Sequence, residues 1–585
     1  MEPGTRGMNL GLGRKGLKRK GRPWFWIVGL SLLATTCQYP SREDQRREDS
    51  MLSRLAGDYY EARVRFYPVE ATKKGHHEFD SELGSYSRGD FERRLAWLHN
   101  FRQRLLGVDV TNVSPSAYVD WLLLTSAVKG EIYELAEIKS WKRSPLYYSR
   151  AIRDGLLSLL SSESLSSTKT PALASRLNQI PSFLELARVN IETSDRLLIE
   201  EGILEFNRCR GIVERLPAAL EAGTPPRELA ELGQRSRDAA RALREFVAHL
   251  EAEVLPGATA AHILGPEALG RLLRYQEMED TSLERIRLDA ERTVAATQVE
   301  MTDIAARLET SPSLVSVFAM MAKDRLSESE LVPRTQEFYE DVETFVGEHH
   351  LTSRLSEDAV RIIENPLRFG DSESIVLESA GPLEDDPKPS FLVLTLPKPS
   401  LQPPQIETYL QDLSARALKL ALIREVYPGK ALYDSSLARS KSTIRKLLTS
   451  EAHREGWGHY VEQLLIERGY AWEDPLLRLY QLHLALIEQC RLIVAIDFHT
   501  GVIGLADAVQ IFHEETYLDV ESARQEARAV AVDPNKWNAG LGKLRILQLR
   551  ERYLQDDAES RDLGWFHDVL LDHAGLPLAL VSFDR

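Results

Sequence analysis

The sequence predicts a mainly α-helical protein with a small β hairpin or sheet near residues 370–400. Apolar residues recur at helical spacing through most of the chain. The exception is a proline-punctuated stretch, residues 370–404, which holds two strand-like segments at residues 374–379 and 391–396. With 585 residues, of which 43% are hydrophobic, the chain is long enough to bury a sizeable core, and disorder is excluded.

The first 37 residues have the layout of an export signal. Seven basic residues precede an apolar run from Trp24 to Ala34, which is short for a membrane span, and Cys37 follows. We expect export to the cell envelope, as a periplasmic or membrane-anchored lipoprotein with lipid on Cys37. An uncleaved anchor and a true start at Met8 are the alternatives. Residues 38–50 are polar and charged, and we expect them to form a tether.

From residue 51 the pattern becomes helical. Amphipathic helices are predicted at residues 91–106, 116–141, 147–160, 171–199, 227–253, 283–308 and 328–350. Proline and glycine mark the breaks between helices, and one such break is predicted at Pro217. We predict one large helical domain over residues 51–585, with an N-terminal lobe over about 51–365 and a site-bearing C-terminal lobe over about 366–585.

The charge balance limits the partners. The chain has 73 basic and 88 acidic residues, and residues 1–37 hold seven of the basic and one of the acidic ones. The remainder therefore carries 66 basic and 87 acidic residues, a net charge of −21. An acidic body argues against nucleic acid, and against docking on anionic lipid through the body's own surface. Three cysteines, Cys37, Cys209 and Cys490, are too few for a disulfide scaffold or a cysteine-rich metal site.

The most informative stretch is residues 421–470. From Ser442 onward we predict one long helix, because apolar residues recur at helical spacing with no interior proline. Four polar residues fall within roughly 40° of the centre of its apolar face, namely Glu451, Glu455, His459 and Glu462. Burying a carboxylate is costly unless a positive group meets it. Arg424 and Lys430 are the nearest candidates for that positive charge.

Two segments of this stretch resemble the bacterial family called domain of unknown function 885. Residues 424–430 read Arg-Glu-Val-Tyr-Pro-Gly-Lys, where members have His-Glu-x-Tyr-Pro-Gly-His. Residues 455–460 read Glu-Gly-Trp-Gly-His-Tyr, where members have Glu-Gly-Trp-Ala-His-Tyr. Residues 491–501 resemble a further family element, and the likeness covers roughly residues 50–585. It implies a large two-lobed, metallopeptidase-like fold around a groove.

In the family these elements resemble a zinc peptidase site, with two His and the distal Glu as ligands and the Glu beside the first His as general base. The resemblance implies the following positions here: Arg424, Lys430 and Glu455 as former metal positions, Glu425 as general base, and His459 and His499 near the site. Guanidinium and ammonium groups offer zinc no lone pair at neutral pH. We therefore expect no metal and no other cofactor, with ion pairs to Glu425 and Glu455 replacing the coordination sphere.

The resulting interpretation is a metallopeptidase-like protein that has lost its zinc ligands and binds a peptide or protein in its groove. One alternative is an active zinc hydrolase with ligands drawn from Glu425, Glu451, Glu455, His453, His459 and His499. Two cations inside such a site would repel a divalent metal. Another alternative is a scaffold role with a filled groove. The segment near residues 370–404 is either a structural hairpin or an edge for strand addition, and we expect His453 at a solvated edge of its helix.

Overall fold

The computed structural model describes residues 41–585, apart from 161–168, 193–194, 222–223, 259–261, 309–312, 322–325, 355–359, 366–373, 387, 397–412, 556–561 and 584–585. Cys37 and the export segment lie outside the described residues. The described chain is mainly helical with a small three-stranded sheet, as the sequence predicts.

Nine helices make up the N-terminal part of the described chain. They are α1 (Arg42–Phe66), α2 (Pro68–Lys73), α3 (Arg88–Leu106), α4 (Pro115–Tyr133), α5 (Ser140–Arg143), α6 (Pro145–Leu157), α7 (Thr170–Asn190), α8 (Arg196–Ala219) and α9 (Pro226–His249). Side-chain caps start several of them, as Ser41 does for α1 and Asp195 for α8. Because α1 begins at Arg42, residues 42–50 are helical and do not form the tether we expected.

Four helices follow before the sheet: α10 (Pro266–Glu277), α11 (Leu283–Ala306), α12 (Leu314–Met321) and α13 (Glu328–Glu348). After the sheet come α14 (Ala415–Ala421), α15 (Lys430–Ala438), α16 (Thr443–Leu447), α17 (Glu451–Glu467), α18 (Pro475–His499), α19 (Leu505–Thr516), α20 (Val520–Val532), α21 (Asn538–Gln555) and α22 (Leu563–Asp572). Within the described residues, α18 alone is long and apolar enough to cross a membrane, and most of it is buried inside the protein.

The sheet consists of β1 (Arg361–Glu364), β2 (Ile375–Glu378) and β3 (Phe391–Leu394) in the order β1-β3-β2. β2 pairs antiparallel with β3, with Ile375 opposite Leu394 and Glu378 opposite Phe391. The two strands predicted from the sequence are therefore confirmed. β1 pairs parallel with β3 and was missed, because its four residues were included in the helical region.

Three hydrophobic cores hold these elements together. The first lies among α1–α9 and α16, the second among α13, the sheet, α14, α15, α17, α21 and α22, and the third among α10–α12 and α18–α21. Helices α11–α13 precede residue 365 but bury their apolar faces with elements of the C-terminal part. The cores therefore do not follow the lobe boundary near residue 365 that we expected.

Three predicted helix boundaries are wrong. The long helix from Ser442 is broken at residues 448–450, where the Ser450 backbone N–H donates to Gly575 O and its side chain caps α17. The helix predicted at residues 171–199 is two helices, because Asp195 starts α8. No break occurs at Pro217, which lies inside α8 one turn before its end. The first two errors follow from caps that end or restart a helix without changing its apolar period.

Candidate functional site

The first half of the central motif lies in a tight turn between α14 and α15. Residues Leu422–Val426 form one π-helical turn, and the Tyr427–Pro428 peptide bond is cis. Gly429 follows, and a Cβ there would lie 2.0 Å from Arg424 O, so only glycine fits. This turn places Arg424 and Glu425 beside the first residue of α15, Lys430.

The second half lies on α17, which is pressed against α21. A Cβ on Gly456 would lie 2.3 Å from the carbonyl carbon of Gly542, so the two helix backbones meet where both residues are glycine. The indole N–H of Trp457 donates to Pro428 O at 2.8 Å and ties α17 to the turn. The polar face of α17 is thereby held toward Arg424 and Lys430.

These elements bring six charged side chains together, which we call the ion-pair cluster: Arg424, Glu425, Lys430, Arg454, Glu455 and Glu462. Arg424 donates to Glu425 at 2.9 Å and to Glu462 at 2.8 Å. Lys430 Nζ lies 3.0 Å from Glu425 Oε1 and 2.8 Å from Glu455 Oε2. The ion pairs predicted from the sequence are therefore present.

The ion-pair cluster continues to the protein surface through Arg454. Its guanidinium donates to Glu455 at 3.1 Å, and it also donates to both carboxylate oxygens of Asp434, at 2.7 and 2.6 Å. The hydroxyl of Ser379, at the end of β2, donates to the same Asp434 carboxylate at 2.7 Å. The sheet is thus connected to the ion-pair cluster by hydrogen bonds.

Burial and charge act in opposite directions on the ion-pair cluster. Burial alone would raise the pKa of Glu425, but Lys430 and Arg424 outweigh it and lower this pKa to about 2. Burial would lower the pKa of Lys430, yet Glu425 and Glu455 raise it above its ordinary value. The pKa values of Glu455 and Glu462 are also lowered, because Lys430 and Arg424 overcome the effect of burial. At neutral pH the carboxylates are ionised and Lys430 is protonated.

This donor set does not fit a zinc ion. Arg424 and Lys430 point their cationic atoms at the carboxylates a metal would need, and the raised pKa of Lys430 keeps its lone pair occupied by a proton. Within the part of the chain that the structure describes, no three His, Cys, Asp or Glu side chains are grouped so as to hold a metal.

The other proposed ligands are dispersed. His459 is buried beside Glu462, with Nδ1 at 3.5 Å from Glu462 Oε2. His453 is fully buried and its Nδ1 lies 2.9 Å from Leu576 O, so the solvated position we expected is wrong. The C-terminal loop covers this turn of α17, which the helix pattern alone does not reveal. Burial lowers the pKa of His453 to about 4.

His499 contacts a different set of residues. It ends α18, with Nε2 at 3.1 Å from Val530 O and its ring edge-on to His262. Glu451 is the first residue of α17 and is exposed at a cavity wall. Within the described residues, the ion-pair cluster therefore gathers Glu425 and Glu455 but touches neither His499 nor Glu451 through a hydrogen bond or ion pair.

Sequence reasoning missed several members of this polar interior. Arg454 precedes Glu455 directly, and Asp434 follows Lys430 by one helical turn, so spacing alone was a usable signal. Lys543 gave no local signal. It is buried on α21, where burial lowers its pKa to about 8 while Glu462 acts to raise it.

A cavity of about 1440 Å³ lies next to the ion-pair cluster. One side of its wall is formed by the sheet, through Phe391 and Val393 of β3, Thr395 just after it, and residues 376–382 from β2 onward. The rest of the wall includes four tyrosines (Tyr67, Tyr133, Tyr147 and Tyr275) and the charged residues Asp434, Glu451 and Arg454. β2 is an edge strand of the described sheet and also lies beside the turn Leu422–Val426. The cavity therefore has an edge strand in its wall, close to the ion-pair cluster.

Fold and site together define a mainly helical protein with a buried ion-pair cluster beside a large cavity. The family model described as a bacterial protein of unknown function, DUF885, matches residues 68–582. The chain belongs to this family. No protein with a curated function is detectably similar in sequence.

Two solved structures share the fold. A candidate lipoprotein of unknown function from Shewanella oneidensis has a TM-score of 0.74 at 18% identity, covering 91% of this chain and 98% of its own. A candidate lipoprotein from Colwellia psychrerythraea has a TM-score of 0.75 at 15% identity, covering 92% of this chain and 98% of its own. At these identities the likeness establishes the fold alone.

Proposed function

We propose that this protein is a metal-free, non-catalytic member of its family that is tethered at the cell envelope and binds an extended peptide or protein segment in the cavity. The observation that carries the proposal is that Arg424 and Lys430 are ion-paired to Glu425 and Glu455. A metallopeptidase needs those positions for lone-pair donors. Here the same positions supply positive charge and satisfy the carboxylates without a metal.

Peptide binding is supported by the sheet and the cavity. β2 is an edge strand whose residues line the cavity, and an extended segment can add to such an edge through main-chain hydrogen bonds. Apolar side chains of β3 and the tyrosines of the wall offer surfaces for alternate side chains of the bound segment. The cavity is large enough for several residues, since ligand pockets of about 300–1,000 Å³ hold drug-sized molecules.

The envelope location rests on the N-terminal sequence, with its basic start, apolar run and Cys37. The candidate lipoproteins that share the fold are in keeping with it.

The second candidate function is an active zinc hydrolase with relocated ligands. The observation that favours it most is that His459 lies 3.5 Å from a carboxylate oxygen of Glu462 and 3.8 Å from one of Glu488, although the three side chains are not grouped as metal ligands. Glu462 is already paired with Arg424, however, and Glu488 with Arg491. A divalent metal there would face two guanidinium groups, so we favour the metal-free function.

Peptide binding is tested with decapeptides selected on the purified full chain from a phage-displayed random library. We expect fluorescence anisotropy to show saturable binding that weakens at least tenfold when alternate peptide nitrogens are N-methylated, because strand addition needs those N–H groups. Ala380→Trp, which fills the cavity wall beside β2, should abolish binding. Val189→Trp, at a 64% exposed position that does not line this cavity, is the matched control and should bind normally.

The same peptides distinguish the two functions. Incubated with the protein and zinc, they should remain intact by mass spectrometry. Cleavage that EDTA abolishes would establish the hydrolase instead. Binding that tolerates N-methylation and the Ala380→Trp change would remove β2 as the binding edge.

A further inference from the structure

Helix α1 begins very close to the expected membrane attachment point. Only four residue steps separate Cys37 from Ser41, the cap of α1, and seven separate Ala34 from it. A fully extended chain spans at most about 3.6 Å per residue, so the start of α1 lies within about 14 Å of a lipid-bearing Cys37, or about 25 Å of the end of an uncleaved anchor. Either attachment brings the same end of the molecule to the bilayer.

That end exposes amphipathic and apolar side chains. Leu106, the last residue of α3, is 57% exposed, and Tyr118, in the first turn of α4, is 42% exposed. Trp121 joins them, because its indole N–H donates to Leu105 O at 3.2 Å and its ring stacks on Tyr118 with centroids 6.0 Å apart. Tyrosine and tryptophan with one apolar and one polar end are enriched where membrane meets water.

The exposed charges at this end are balanced, although the body of the protein is acidic. Arg42, Arg46 and Arg47 of α1 are exposed, the last with 81% of its side chain in solvent. The neighbouring acids Glu48 and Asp49 turn inward.

The inward turn of these two acids is fixed by the adjoining loop. The backbone N–H of Asp109 donates to Glu48 at 3.2 Å, and that of Ser114 donates to Asp49 at 2.8 Å. Glu43, Asp44 and Asp109 remain exposed and offset the three exposed arginines, so this end carries no excess of positive charge. Contact with lipid should therefore depend on the apolar side chains more than on salt.

We infer that this end of the protein, which we call the membrane face (Arg42, Arg46, Arg47, Leu106, Tyr118 and Trp121), rests on the headgroup layer of the bilayer that holds the N-terminus. The partner is a lipid surface. The inference uses the tether of the proposed function but not its peptide binding. It differs from the expectation that the acidic body does not dock on anionic lipid through its own surface.

The test uses the full chain reconstituted in vesicles of phosphatidylethanolamine and phosphatidylglycerol at 3:1. Leu106→Cys and, in a second protein, Tyr118→Cys carry an environment-sensitive fluorophore, and quenching by lipid spin-labelled near the headgroup is measured. Cys209 and Cys490 are buried, and the labelled unmodified chain gives the signal from Cys37. Val299→Cys, 63% exposed on α11, and Trp472→Cys, 79% exposed after α17, are the controls.

We expect quenching at positions 106 and 118 to be at least twice that at positions 299 and 472. Equal quenching at all four positions, stronger quenching at position 472, or a chain that does not stay with the vesicles would each overturn the inference. Peptide binding by the same vesicles is measured separately. Loss of the membrane face and loss of the peptide site are therefore distinguishable outcomes.

Discussion

Two buried charged clusters in this protein use the same kinds of side chain. They differ in how completely the carboxylate oxygens are paired with hydrogen-bond donors. In the N-terminal part, the Glu131 carboxylate is surrounded by Arg94, Arg63, Tyr67 and Tyr59, which we call the Glu131 cluster. Its Oε1 accepts from Arg94 and from Tyr67 at 2.8 Å, and its Oε2 accepts from Arg94 at 2.8 Å. Arg63 and Tyr59 add longer contacts at 3.4 Å. Each carboxylate oxygen therefore has more than one donor.

Near the ion-pair cluster, some buried polar atoms lack a hydrogen-bond partner within the described residues. Glu462 is fully buried, and its Oε1 accepts from Arg424. Its Oε2 and the Nδ1 of His459 have no hydrogen-bond partner within the described residues. In the Glu131 cluster both carboxylate oxygens are paired, and the one nitrogen left without a hydrogen-bond partner, Arg94 Nη1, belongs to a guanidinium that lies over the Phe66 and Trp97 rings. In the ion-pair cluster, by contrast, one carboxylate oxygen of Glu462 faces only the Nδ1 of His459, at 3.5 Å.

The largest effect should come from Glu131→Gln. The side chain is only 7% exposed, and removing its charge leaves the buried Arg94 without an anion, while Arg63 keeps Glu70. We expect a loss of about 3–5 kcal/mol in unfolding free energy, measured by urea denaturation. Glu185→Gln, a 71% exposed partner of Arg188, is the control and should stay within about 0.5 kcal/mol. A loss below about 1 kcal/mol would show that the two clusters are energetically alike.

Glu455→Gln should lower the unfolding free energy less, by about 1–2 kcal/mol. Both of its cationic partners keep another carboxylate, because Lys430 stays paired with Glu425 and Arg454 with Asp434. Its side chain is also 28% exposed, which weakens the pairing. In a background of Arg424→Met and Lys430→Met the same change should cost less still, because Lys430 no longer contacts Glu455 and only Arg454 remains paired with it. Urea unfolding of the double-mutant cycle in metal-free buffer measures the difference. Coupling below about 0.5 kcal/mol would show that these cations do not compensate Glu455.

Gly458→Ala tests whether the side chains of Arg424 and Lys430 fill the space beside Gly458. Alanine normally stabilises a helix interior by about 1 kcal/mol over glycine. Here the added Cβ would lie 3.0 Å from Arg424 Cγ and 3.2 Å from Lys430 Cε, so we expect no gain or a small loss. In an Arg424→Ala, Lys430→Ala background, which removes both side-chain contacts and leaves the 3.0 Å approach to Arg424 O, the same change should be more favourable by about 0.5 kcal/mol or more. If Gly458→Ala changes the thermal and urea midpoints equally in both backgrounds, then Gly458 does not pack against the side chains of Arg424 and Lys430.

The smallest effect is expected from chelation. EDTA should leave the thermal midpoint of the unmodified protein unchanged, whereas the Arg424→His, Lys430→His protein should bind zinc, because Glu425 and Glu455 stay in place. Calorimetric titration with zinc compares the two. Stoichiometric zinc in the unmodified protein, or none in the double variant, would contradict the geometry assigned to the ion-pair cluster.

The sequence predicts those parts of the site that depend on local spacing. Glu425, Glu455 and their two cations follow from a helix face and a motif, and β2 and β3 follow from their composition and prolines. Long-range contacts lie outside such reasoning. His453 is buried by Leu576, which is 123 residues away, and β1 forms only through parallel pairing with β3. The break before α17 depends on a carbonyl at Gly575. None of these contacts leaves a periodic signal.

The buried histidines set a lower pH limit for the fold. His453, His483, His499 and His567 are all held neutral, since burial lowers the pKa of each to about 4. An unfolded chain would take up protons at these rings below about pH 6.5, whereas the folded chain would not until about pH 4. Stability from this source is complete above about pH 6.5 and falls as the medium is acidified toward pH 4. For a protein on the outer side of a membrane, external acid thus acts as a denaturant.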